Sequence, residues 1–263
     1  MMMQQKQIIL NLSKKDFDIA DACARELWRG YNYSDDYLTI SDEIFMAWFG
    51  IPFIELQQIK ASSLFIHAEN VDKFITIINM RNNKINKTLD LNKGLDELKT
   101  ICERDYASWK KTQNKRKGGL QLATTSIKSV GYALFKPKGR LKQGKFFVLA
   151  SRILFFAAPD LPVFNISERV STSFGIKSVI TEKNLVKFNY HMNANLQHYW
   201  NLLINYRMPL PANRLDDEYW LVAKNGGWWQ RRILDLAIMH KAGEIEVKQF
   251  IEQAADQSFS PPI

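Results

Sequence analysis

Twelve cations and no carboxylate fall between Tyr106 and Pro159: Lys110, Lys111, Lys115, Arg116, Lys117, Lys128, Lys136, Lys138, Arg140, Lys142, Lys145 and Arg152. The chain carries 36 Lys and Arg against 27 Asp and Glu, a formal charge of +9; without those twelve the balance is 24 against 27, or −3. The basic character therefore belongs to one contiguous fifth of the 263 residues. A surface of one sign is suited to a polyanion, most often nucleic acid. A second grouping, Trp228-Trp229-Gln230-Arg231-Arg232, sets two indoles beside two guanidinium groups. Such a pair can stack an extruded base and clamp its phosphates. The competing structural role is a Trp anchored in the core, with the arginines paired to Asp235 or Glu218.

Other chemistries lack their residues. There is no GxGxxG, no Walker A pattern, no nucleophile elbow and no HExxH. Asp35-Asp36 and Asp216-Asp217 fit loops or helix starts, where first-turn carboxylates complement the helix dipole. Cys23 and Cys102 are too few for a disulfide framework or a structural zinc site, and their helical context predicts buried thiols. His67, His191, His198 and His240 share no ligand spacing with them. His191 and His198 would lie two turns apart on one helix, too far to chelate one ion. No cofactor or metal is expected.

The elements that must position these groups read as mostly helical. Ser13 N-caps a helix that runs to Arg29, with Phe17, Ala20, Ala24 and Leu27 on its apolar face and Gly30 as its stop. Ser41 caps a short helix ending at Gly50. Leu64, Ile66, Phe74, Ile75, Ile77 and Ile78 mark buried segments whose β-branched residues allow strands. Residues 81–86 form a polar turn, and the longest helix covers residues 91–113. Residues 114–119 read as a basic, glycine-containing loop, a hinge or lobe boundary. Gly131, Pro137, Gly139 and Gly144 punctuate a turn-rich stretch before the apolar segment 146–158. Pro159 and Pro162 break that segment, and order restarts at 166–170. Helices follow over 185–203, 218–222, 228–240 and 244–255, with Gly243 between the last two.

With 46% hydrophobic and 12% aromatic residues, the chain has ample material for a packed core. The longest apolar run is interrupted by Ser151 and Arg152 and is too short to span a bilayer. No apolar leader follows the start. A cytoplasmic, mainly α protein is expected, residues 1–263 forming one domain of two helical lobes.

The segment Leu141-Lys142-Gln143-Gly144-Lys145-Phe146 leads into an apolar helix bearing Ala150 and Ser151, then Pro159-Asp160-Leu161-Pro162 and Asn165. Over about thirty residues this resembles the helix-hairpin-helix DNA glycosylases, and within them the bacterial proteins related to 8-oxoguanine glycosylase. The resemblance implies that Gly144 matches the first glycine of a hairpin whose backbone N–H groups hold a phosphate. Ala150 would match the small residue of the helix, and Asn165 the aspartate that assists departure of the base. Gln143, Phe146 and Val148 stand where that pattern has proline, the second glycine and the nucleophilic lysine.

The implied reaction extrudes a modified base, at a cost of a few kcal/mol, and cleaves its N-glycosidic bond. A carboxylate would stabilise the oxocarbenium charge, and an amine nucleophile would add strand cleavage. Asn165 carries no charge, so Asp160 and Glu168 are the nearest candidate acids and Lys145 the nearest amine. The expected DNA surface comprises Lys115, Arg116, Lys117, Lys138, Arg140, Lys142, Gly144, Lys145, Arg152, Trp228, Arg231 and Arg232. Two alternatives remain: a non-catalytic nucleic-acid binder with this fold, and an interaction module meeting an acidic protein.

Overall fold

Ser13 and Asp16 close a reciprocal cap at the start of the first helix. The Ser13 N–H and hydroxyl both donate to Asp16 Oδ2 at 2.7 Å, and the Asp16 N–H donates back to Ser13 Oγ at 3.3 Å. The computed structural model describes residues 7–29, 31–32, 39–40, 42, 89–112, 116–135, 144–177, 181–209, 223–225 and 227–243. It is mainly helical. Helix α1 (Lys14–Arg29) buries Phe17, Ala20 and Ala24, as its apolar spacing predicts, together with Cys23 and Trp28, while Leu27 of that face is half-buried. Two short strands follow, β1 (Tyr31–Asn32) and β2 (Thr39–Ile40), antiparallel with Tyr31 opposite Ile40. The segments expected over 41–86, 218–222 and 244–255, apart from Asp42, lie outside the described residues.

Helix α2 (Leu91–Thr112) matches the expected long helix, with Leu95, Leu98 and Ile101 buried. Helix α3 (Arg116–Ala133) corrects the reading of 114–119 as a loop, because Arg116, Lys117, Gly118 and Gly119 form its first turn. Gly131 also lies inside α3 rather than in a turn. A Cβ there would stand 2.6 Å from Phe147 Cδ1 and 3.4 Å from the Phe146 backbone, so the glycine lets α3 and the next helix close together. Gly131→Ala is accordingly expected to cost about 1–3 kcal/mol by overpacking, visible as a lowered denaturant midpoint with unchanged slope. An unchanged midpoint would show that Phe147 yields at no cost.

Helix α4 (Gly144–Ala157) starts two residues before Phe146, where the sequence suggested its beginning. It is buried on nearly all sides: Phe146, Phe147, Leu149, Ala150, Ile153, Leu154, Phe155 and Phe156 are all core. Chain reversal at Pro159 and Pro162 leads to helix α5 (Glu168–Ser173), whose N-cap Ser167 accepts from Val170 N–H at 3.1 Å. Ser151 ties the two limbs together: its hydroxyl donates to Val148 O at 2.8 Å and accepts from Ile166 N–H at 3.4 Å.

Helix α6 (Glu182–His198), capped by Thr181, is followed by the short α7 (Trp200–Leu203) and then α8 (Trp228–Lys241). Helix α8 packs against α1, α5, α6 and α7, whereas α3 packs against α2, α4 and α6. The chain leaves α8 through Gly243 at φ 72°, a left-handed conformation that glycine adopts without strain. Among the described residues no helix is long and apolar enough to cross a membrane.

Candidate functional site

The turn between α4 and α5 is held from behind by α8. Arg231, 2% exposed, donates from Nη2 to Pro159 O at 2.6 Å. Burial lowers its pKa to about 10, against the opposing pull of Asp160. One turn further along, Asp235 (1% exposed) accepts a long 3.4 Å hydrogen bond from Asn165 Nδ2. Its Oδ2 also lies 3.9 Å from Arg232 Nη1. Arg231 and Asp235, one turn apart on one helix, thus secure both ends of the loop that carries Asp160 and Asn165.

Arg232 is committed further. Its Nε and Nη2 donate to the two Asp42 oxygens at 2.8 and 3.1 Å, a bidentate pair in a nearly closed environment. Burial alone would lower the Arg232 pKa, but Asp42 and Asp235 raise it above its ordinary value, so the guanidinium is firmly charged. Cys23 borders this cluster, and burial pushes its thiol up to about 11. It is an inert core thiol, as expected.

Several expected site residues sit elsewhere. Trp228 is fully buried, its Nε1 donating to Phe155 O at 2.8 Å, and Trp229 donates to Asp21 Oδ1 at 3.2 Å. Trp228 packs against Trp28 and Phe155 at centroid distances of 6.1 and 5.0 Å. Trp228, Arg231 and Arg232 therefore do not stack a base or clamp phosphates, contrary to the sequence expectation: burial spends the indoles on the core and the guanidinium groups on internal acceptors. Glu168 is exposed in the first turn of α5, where its charge complements the helix dipole. Asp160 is half-buried and engaged with Arg231. The carboxylate brought to Asn165 is Asp235, seventy positions away in the chain and named by the sequence only as an ion-pair partner.

Of the basic window, Arg116 and Lys117 lie in the first turn of α3, and Gly144 and Lys145 in the first turn of α4. The side chains of Arg116, Lys117 and Lys145, and all of Lys115, Lys138, Arg140 and Lys142, lie outside the described residues. Arg152 is half-buried within α4 and is not without a partner. Lys128 is neutralised by Glu182 of α6 at 2.6 Å, and the Tyr132 hydroxyl donates to the same carboxylate. That hydrogen bond, with burial, pushes Tyr132 up to about 12. Neither α3 nor α4 has an acidic residue in its first turn, nor do α2, α7 and α8, whereas α1, α5 and α6 have Asp16, Glu168 and Glu182 there. Cations at a helix N-terminus oppose the dipole unless an anion lies between them.

No protein-family model, curated protein or solved structure matches the chain.

Proposed function

We propose that this chain is a DNA-binding protein of the helix-hairpin-helix glycosylase type, which turns a modified base out of the duplex and releases it. One observation carries the reading: Asn165, closing the apolar helix and its Pro-bracketed turn, is hydrogen-bonded to Asp235. A carboxyl group, the kind such chemistry uses, stands one hydrogen bond behind the residue to which the resemblance assigns it. Because Asn165 Nδ2 donates to Asp235, its Oδ1 is the pole turned away from that carboxylate. An electron-rich oxygen so oriented, with a carboxyl group behind it, favours positive charge developing on a sugar ring. The acid-free window and the cations in the first turns of α3 and α4 support binding to phosphates.

A second reading is favoured by the 1% exposure of Asp235: a protein that binds nucleic acid and leaves the glycosidic bond intact. Retention on duplex DNA and release of bases from oligonucleotides separate the two. On duplex DNA, log K is expected to fall with log salt at about −0.9 per phosphate contact. Replacing Lys115, Arg116 and Lys117 together by Ala should make that slope shallower and weaken binding alike on all sequences. A flat salt dependence in the parent protein refutes both readings and favours an acidic protein partner. Tight binding without release of oxidised, alkylated, deaminated or hypermodified bases selects the second.

A further inference from the structure

Residues 7–12 precede α1 without regular secondary structure, yet a row of side chains along α6 and its C-cap holds their backbone. Ile8 N–H donates to His191 Nδ1 at 3.2 Å. Asn195 accepts from Leu10 N–H at 2.9 Å and donates to Ile8 O at 2.8 Å. The Tyr199 hydroxyl donates to Leu10 O at 2.6 Å and accepts from Leu12 N–H at 2.9 Å. His191, Asn195 and Tyr199 are four residues apart, a rise of about 6 Å along a helix. Two residues of an extended chain span about 6.6 Å, so alternate arm residues meet successive helical turns.

We propose that this N-terminal arm is a latch opened by acid, with His191 as its trigger. The proposal is independent of the DNA chemistry above. To accept from Ile8 N–H, Nδ1 must be unprotonated, which puts the ring proton on Nε2. Nε2 is buried and has no hydrogen-bond partner among the described residues. The ring is 1% exposed and stacks on Phe174 at 5.3 Å between centroids. A second proton would set one N–H against another and bury a charge for which the described residues supply no counter-ion. Ile8 and Leu10 of the arm and Phe174 beyond α5 bring no charge to the ring, Tyr190 beside it on α6 adds a neutral one, and Lys187 on α6 opposes a positive ring.

Burial first, and Lys187 second, hold the His191 pKa below its ordinary value. Once the arm leaves, the ring returns toward its ordinary value of about 6.5. The open state therefore binds more protons. Docking is fully favoured above that value and is lost progressively as pH falls below it, toward the docked pKa.

Hydrogen exchange at the Ile8 and Leu10 amides, corrected for intrinsic rates, tests this at about pH 7.5 and about pH 5, either side of the ordinary His value. Arm opening is expected to increase by up to about tenfold per pH unit below that value, with the α8 amides still protected. His191→Gln, whose amide oxygen can accept the same N–H without titrating, should flatten the dependence. Equal corrected protection at both pH values overturns the latch. So does parallel loss of protection in α8, or an unchanged dependence in the Gln variant. Should that variant fail to fold, the His191 ring titration in the parent protein must inflect with arm opening, and a mismatch overturns the proposal.

Discussion

Asp42→Ala is expected to destabilise the protein by about 3–5 kcal/mol, the usual cost of leaving a buried charge without its partner. Asp42 is 4% exposed and binds both Nε and Nη2 of Arg232, whose side chain is 12% exposed. The Arg232–Asp235 contact at 3.9 Å is too long to replace that bidentate geometry. Removing both charges should behave differently: Asp42→Leu combined with Arg232→Met is expected near neutral or stabilising, because neither ion then has to be desolvated. Denaturant unfolding of the two single variants and the double variant forms the cycle that measures the coupling. A double variant as unstable as the sum of the singles would show that the pair contributes packing and not charge compensation.

Asp235→Asn is expected to reduce base release by about 100- to 1000-fold, the range for loss of one preorganised electrostatic group. The change is isosteric and leaves Arg232 with Asp42, so on the proposed reading, in which phosphate contacts set DNA affinity, that affinity should stay within about twofold. The reciprocal exchange, Asn165→Asp with Asp235→Asn, moves the charge to the front of the same hydrogen bond. Activity should return, since the carboxylate then stands where the resemblance puts it. Asn165→Asp alone sets two carboxylates within about 3.4 Å. One of them should then hold a proton, displacing the pH optimum upward as like charges do. Release in Asp235→Asn at the parent level would remove Asp235 from the mechanism.

Much of the helical framework was legible locally. Ser13 before an amphipathic run, Leu95, Leu98 and Ile101 at helical spacing, and Pro159 and Pro162 after an all-apolar segment each specify backbone through nearest neighbours. The first turn of α3 was not legible. Gly118 and Gly119 are poor helix formers in isolation, and the packing of α3 against α2, α4 and α6 outweighs that preference. Gly131 misled for the same reason: it answers to the ring of Phe147 on another helix, not to a turn.

Net charge, its concentration between Tyr106 and Pro159, and the helical class were determined by the sequence alone, because composition and short-range periodicity need no partner. Which of those charges is already spent was decided only by the tertiary structure. Lys128 meets Glu182, Arg232 meets Asp42, and Arg231 holds Pro159, across separations that no local pattern encodes. The same holds for the candidate site. Asn165 and Asp235 are 70 positions apart, and only the packing of α8 behind the α4–α5 turn makes them neighbours. The two tryptophans show the converse: their type invites a stacking role, but burial against Trp28 and Phe155 assigns them to the core, where desolvation of a large ring is most favourable.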